Sequence, residues 1–145
     1  SKISEYARII RMCDFMHANP RNQHIWIFRN YNILEELKQA SNQFITTKIS
    51  AGNHVLFFSF VYSNCDAQIR SNLWSELGIF DVVDSSRLVG GDFNIIADPN
   101  ERKGRVAFPQ KAGMDFLQFM SVNGLRDMGY SRDRYTWCNN QRGNP

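Results

Sequence analysis

The sequence predicts an α/β domain whose strands and helices are mixed and whose strands in places follow one another directly. Three stretches predict it. Residues 54–62 are almost continuously apolar, the pattern of a strand buried on both faces of a sheet. Residues 66–80 place Ile69, Leu73, Trp74 and Leu77 on one helical face. Residues 87–91 are again short and strand-like, and end on Gly90-Gly91.

The remaining elements follow in chain order. Tyr6, Ile9, Ile10, Cys13 and Met16 recur at helical spacing and predict a helix over 4–17, which Asn19-Pro20 ends. Residues 25–28 are a short apolar strand. Residues 31–40 stay open: Leu34, Glu35, Glu36, Leu37 and Lys38 favour helix by propensity, while tertiary pairing would make a strand. Residues 44–49 alternate and are β-branched, a strand that Ala51-Gly52-Asn53 turns into the next. Asp66 is placed to cap the helix that follows it. Residues 98–113 form a polar loop with two prolines and a charge cluster. A second helix covers 111–123 and stops at Gly124. Residues 135–138 are a last short strand, followed by a polar loop.

The chain has 145 residues, enough for one compact domain with a real core, to which eleven Phe contribute. Hydrophobic residues make up 43% and charged residues 21%, the balance of a soluble globular protein. The longest apolar run, 55–62, is interrupted by Ser59 and falls well short of the roughly 20 residues of a membrane-spanning helix. The opening residues are polar and show no signal-peptide pattern. The three cysteines, Cys13, Cys65 and Cys138, are far apart and form no CxxC pair, which argues for free thiols in a reducing compartment. A net charge of +3 suits a polyanionic partner without establishing one. There is no nucleotide-cradling glycine loop, no HExxH and no nucleophile elbow, so nucleotide-cofactor and serine-hydrolase chemistries have no support.

Gly90-Gly91-Asp92-Phe93-Asn94 carries the most chemical information. In an extended segment Asp92 and Asn94 would face one side together while Phe93 turns to the core. A carboxylate beside a carboxamide suits hydrolysis of a phosphate ester. The carboxylate deprotonates the attacking water, and the amide holds that water or donates to a phosphoryl oxygen. The same residue types are also ordinary turn formers. Tyr62, at the end of its strand, has a phenol that can donate to a phosphate oxygen or simply reach water from the core's rim. His17, His24 and His54 read as surface or structural residues. Arg102, Lys103, Arg105 and Lys111 follow Asn94 and could track a phosphate backbone or merely be solvated.

Several stretches in order carry a resemblance: Phe60-Val61-Tyr62-Ser63-Asn64, Arg70 to Trp74, Leu88-Val89-Gly90-Gly91-Asp92-Phe93-Asn94, Glu101-Arg102-Lys103-Gly104, Gly124-Leu125-Arg126-Asp127 and Tyr135-Thr136-Trp137-Cys138-Asn139. Together they resemble the endonuclease/exonuclease/phosphatase (DNase I-like) superfamily, and within it the endonuclease domain of plant LINE-type retroelements. The resemblance implies a four-layer α/β/β/α sandwich, two packed mixed sheets flanked by helices, spread over 1–145 as a single incomplete domain. It implies Mg²⁺- or Mn²⁺-dependent hydrolysis of a DNA phosphodiester in retrotransposition. Asp92 would activate the water, Asn94 would position the water or the phosphate, and Tyr62 would contact the phosphate. Thr136 and Trp137 would line the floor or rim beside the nucleic acid, with Arg102 and Lys103 on its backbone. The partner would be DNA, with no membrane and no nucleotide cofactor, in a monomeric domain of a longer polyprotein; a nuclear location follows only from the DNA.

The family's metal centre uses an Asn near the domain start and a Glu after its second strand, and its site closes on Ser-Asp-His. The resemblance places the first two before Ser1 and the last after Pro145. The chain as it stands is then expected to carry the middle of the active site, without the main metal ligands, and to be inactive or nearly so. Two alternatives remain at this stage: a phosphatase or phosphodiesterase of the same fold acting on a small molecule or lipid, and a non-catalytic retroelement remnant with weak nucleic-acid binding.

Overall fold

The structure is a computed structural model that describes residues 2–10, 14–18, 24–30, 32–78, 86–103, 110–131 and 135. The chain divides into two compact units, Ser1–Asn94 and Ile95–Pro145.

The first unit is a mixed α/β arrangement. Helix α1 covers Lys2–Ile9, and strands β1 (Asp14–Ala18) and β2 (Trp26–Arg29) pair antiparallel as a two-stranded sheet. Strands β3 (Leu34–Ala40), β4 (Phe44–Ala51), β5 (His54–Tyr62) and β6 (Ser86–Asp92) form a four-stranded sheet in that order. The β3/β4 and β4/β5 pairs are antiparallel, and β5/β6 is parallel. Helix α2 (Ala67–Gly78) lies between β5 and β6 in the chain, as a parallel pair requires.

One expectation is corrected here and one open segment is decided. The helix expected over 4–17 ends at Ile9, and Asp14–Ala18 is a strand. Its partner decides this: Asp14 pairs with Arg29 and Ala18 with Trp26, and that ladder outweighs a helical apolar spacing. The open segment 31–40 is strand from Leu34 to Ala40, although its residues favour helix, because β4 supplies a ladder from Leu34↔Ser50 to Ala40↔Ile45, broken only by a register shift between Leu37 and Gln39.

The two faces of the four-stranded sheet bury different things. On one face Ile25 and Ile27 of the β2 segment pack with Ile45, Ala40 and Phe60. On the other, α2 lies along the sheet. Gln39 of β3 and Arg87 of β6 donate to the carbonyls of Glu76 (3.5 Å) and Leu77 (2.6 Å). Leu73 and Leu77 are fully buried on the inner side of α2, each contributing about 1.5–3 kcal/mol of burial. Thr46 and Ser59, adjacent in register and also fully buried, satisfy each other across 2.8 Å. The β4–β5 turn is the two residues Gly52-Asn53, and Gly52 takes φ 59.

The second unit holds a short 3₁₀ turn, Pro99–Glu101, capped by the Asp98 side chain, and helix α3, Gln110–Val122. Gly124 ends α3 at φ 62, with Leu125 N–H returning to the Met120 carbonyl, the expected glycine stop. Among the described residues no helix is long and apolar enough to cross a membrane.

Candidate functional site

The carboxyl ends of β5 and β6 form the site. They are neighbours because β5 and β6 are parallel, so both strands deliver their last residues to the same sheet edge, where α/β sheets place ligands. Tyr62 and Asp92 are direct partners in the ladder and therefore share a face. Both are exposed, Tyr62 by 42%.

Asn94 reaches Asp92 by a different route from the expected one. The chain is not extended through Asn94, which takes φ 48 and is the only non-glycine at positive φ among the described residues. Its backbone N–H donates to Asp92 Oδ1 at 2.9 Å, closing an Asx turn. Its side-chain Nδ2 donates to the Ser63 carbonyl at 2.6 Å. Since a carbonyl can only accept, this bond orients the amide, with Nδ2 toward Ser63 and Oδ1 away from it. Phe93 turns from the site as expected, and its ring stacks on Trp74 of α2 at 6.3 Å and 21°.

Ser63 clasps the turn from the β5 side. Its N–H donates to the Asp92 carbonyl at 2.8 Å and its hydroxyl to the Phe93 carbonyl. It is 1% exposed, so these bonds form away from competing water. Gly91 permits the strand to come this close. It takes φ 140, and a Cβ there would stand 2.0 Å from the Val61 carbonyl oxygen. Gly90 lies against the Phe58 ring, where a Cβ would meet it at 3.4 Å.

Behind the site, Gln43 joins three elements. It is 3% exposed. Its carbonyl accepts from Tyr62 N–H at 2.8 Å, its Oε1 from Asn64 N–H at 2.8 Å, and its Nε2 donates to the Ile69 carbonyl of α2 at 3.0 Å. Arg70, 4% exposed, donates to the carbonyls of Asn64 (2.8 Å) and Cys65 (3.0 Å), a structural role. Asp66 caps α2 through Oδ1, which accepts from Gln68 and Ile69 N–H at 2.8 and 3.0 Å. The turn that follows Tyr62 is thus held at nearly every polar group.

Sequence reasoning missed Gln43 and Ser63 as supports. Both act mostly through backbone groups 19 to 31 residues away, and no local pattern marks such a bond. It also missed His24, whose ring lies 5.1 Å from that of Tyr62 at 36°.

The other expected residues are in the second unit or outside the described residues. Arg102 and Lys103 are exposed just after the 3₁₀ turn. Lys103 Nζ lies 5.0 Å from the centroid of the Tyr135 ring, whose hydroxyl donates to the Asn100 carbonyl at 3.4 Å. Lys111 is exposed on α3. Thr136, Trp137 and Arg105 lie outside the described residues, as does most of the strand expected over 135–138. Among the described residues no three His, Cys, Asp or Glu side chains gather where they could hold a metal ion. No protein-family profile matches the chain, and no curated protein matches it.

Proposed function

We propose that this chain carries the central part of a phosphodiesterase site of the endonuclease/exonuclease/phosphatase type, and that the activity of the protein it belongs to is DNA nicking. The observation that carries the reading is the pairing of Tyr62 with Asp92 at the carboxyl ends of two parallel strands, with Asn94 bonded to Asp92. A phenol donor, a carboxylate and an oriented carboxamide are what attack of water on a phosphodiester needs from a protein. The β2 segment packed on one face of the main sheet and α2 on the other support the layered sandwich that this reading entails.

Each group has a task. Asp92 keeps one carboxylate oxygen on the Asn94 N–H and uses the other to take a proton from the attacking water. Asn94, held through Nδ2, turns Oδ1 to accept from that same water and so aims its lone pair. Tyr62 donates its hydroxyl to a non-bridging oxygen of the phosphate. Magnesium or manganese would supply the Lewis acid of this chemistry. A single carboxylate with one oxygen already engaged does not make a metal centre, and among the described residues no three His, Cys, Asp or Glu side chains gather around it to hold the ion.

The diester class is tested with two chromogenic substrates, bis-p-nitrophenyl phosphate and p-nitrophenyl phosphate, in Mg²⁺, on the protein in its full reading frame. The reading predicts turnover of the diester that falls at least about 100-fold in Asp92→Ala. Preference for the monoester, or a diester rate indifferent to Asp92, would replace it with a small-substrate phosphatase or a non-catalytic protein.

A further inference from the structure

We propose that Ser63 is a positioning residue of this site, whose buried hydroxyl sets the Asp92 carboxylate and the Asn94 carboxamide through the peptide group between Phe93 and Asn94. The inference rests on the phosphodiester reading and adds to it a side chain that touches no substrate.

Three successive residues of the turn end on Ser63. Its N–H donates to the Asp92 carbonyl at 2.8 Å, its hydroxyl donates to the Phe93 carbonyl, and its own carbonyl accepts from Asn94 Nδ2 at 2.6 Å. A trans peptide group is planar, so its carbonyl and the N–H that follows point in opposite directions. Holding the Phe93 carbonyl from one side therefore aims the Asn94 N–H on the other, and that N–H donates to Asp92 Oδ1 at 2.9 Å. One rigid peptide thus joins the buried Ser63 hydroxyl to the exposed Asp92 carboxylate.

The turn needs such a hold. Asn94 stands at φ 48, a conformation that persists only where its surroundings impose it. Gly91, at φ 140, has no side chain with which to restrain the turn from the strand side. The bond from Asn94 N–H to Asp92 is exposed, so water competes for both partners. Ser63 is 1% exposed and holds the same peptide where water does not compete. The ring of Phe93 stacks on Trp74 of α2, so this residue is gripped at its carbonyl and at its side chain. Without the Ser63 hydroxyl the Phe93–Asn94 peptide is free to rotate, and the Asn94 N–H leaves Asp92 Oδ1. The other carboxylate oxygen then loses its aim at the water that Asn94 accepts from. Such misplacement lowers the rate of the chemical step and leaves ground-state binding through Tyr62 intact.

The test separates positioning from stability. Ser63→Ala removes the hydroxyl and keeps both backbone bonds. Ser59→Ala is the control, since it also deletes a fully buried hydroxyl, one on β5 that bonds Thr46 at 2.8 Å and makes no bond to the turn. The variants, in the full reading frame, are assayed per folded molecule on bis-p-nitrophenyl phosphate in Mg²⁺, beside wild type and Asp92→Ala. Exchange of the Asn94 backbone N–H is followed by NMR. The inference predicts kcat at least about tenfold lower in Ser63→Ala at unchanged KM, with Asn94 exchange about tenfold faster, and neither change in Ser59→Ala. Ser63→Cys fills the same space with a weaker donor and is predicted to lose at least about threefold in kcat; it decides the matter should Ser63→Ala not fold. If Ser63→Ala loses no more turnover than Ser59→Ala, or leaves Asn94 exchange as in wild type, while Asp92→Ala is inactive, Ser63 is merely structural and the phosphodiester reading stands. If the wild type leaves the diester intact, or Asp92→Ala hydrolyses it as fast, both fall together.

Discussion

Asn94 occupies a conformation that few side chains tolerate, and it does so to place a carboxamide. At φ 48 an Asn is strained less than most residues, and a Gly is not strained at all. This separates fold from function at one position. Asn94→Gly is predicted to keep or raise the melting temperature, whereas Asn94→Ala lowers stability by about 1–3 kcal/mol; both lose the amide and with it the diester hydrolysis. Calorimetry beside the hydrolysis assay checks both halves, and an active Asn94→Gly would refute the role given to the amide. Gly91 makes the opposite point, since there the backbone itself is the obstacle. A methyl group at 2.0 Å from the Val61 carbonyl oxygen cannot be accommodated without parting β5 from β6. Gly91→Ala is predicted to cost at least about 3 kcal/mol in urea denaturation, and a variant within about 1 kcal/mol of wild type would show that the two strands do not pair as described. Asp92, Asn94 and Tyr62 were legible in the sequence because a short glycine-led motif and a strand end mark them. The conformation of Asn94 was not, because an Asx turn and an extended strand are written in the same residues.

The β5–α2–β6 succession is the element that makes the site, and its support comes from outside it. Gln43, just before β4, holds the backbone of Tyr62 and Asn64 and reaches the Ile69 carbonyl in α2. Gln43→Ala keeps the carbonyl that receives Tyr62 N–H but strips partners from the other two groups. It is predicted to destabilise the fold by about 2–4 kcal/mol and to lower diester turnover further than the stability loss explains. Denaturant melts and kinetics on the folded fraction measure these separately; unchanged turnover per folded molecule would reduce Gln43 to a purely structural residue. Elements with strong local signals were legible in the sequence: β4 and β5 from their apolar strands, α2 from its inward face and Asp66 cap, α3 from its Gly124 stop. The misread element, β1, and the segment left open, β3, owe their state to a partner strand. Leu34 to Lys38 carry helix-favouring residues, and only the β4 ladder, paired from Leu34↔Ser50 to Ala40↔Ile45, makes them a strand. Information of that kind lies elsewhere in the chain and no local window contains it.

At the scale of the whole molecule, the chain combines a site-bearing first unit with a second unit that carries exposed basic residues. With a net charge of +3, DNA affinity on this account has a salt-dependent share from phosphate contacts. Replacing Arg102 and Lys103 together by Ala is predicted to weaken duplex binding alike for all sequences. It should also flatten the plot of log affinity against log salt by about 1–2 units, measured by anisotropy over a salt series. An unaltered slope would remove both residues from the DNA-contacting surface. The central claim is that Asp92 activates water at a DNA phosphodiester, and one measurement reaches it most directly. Supercoiled plasmid is incubated in Mg²⁺ with the protein in its full reading frame, wild type against Asp92→Ala, and open-circular product is followed with time. The account predicts nicking by the wild type and a rate at least about 100-fold lower in the variant. A folded wild type that leaves the plasmid supercoiled, or an Asp92→Ala protein that nicks as fast, would contradict it.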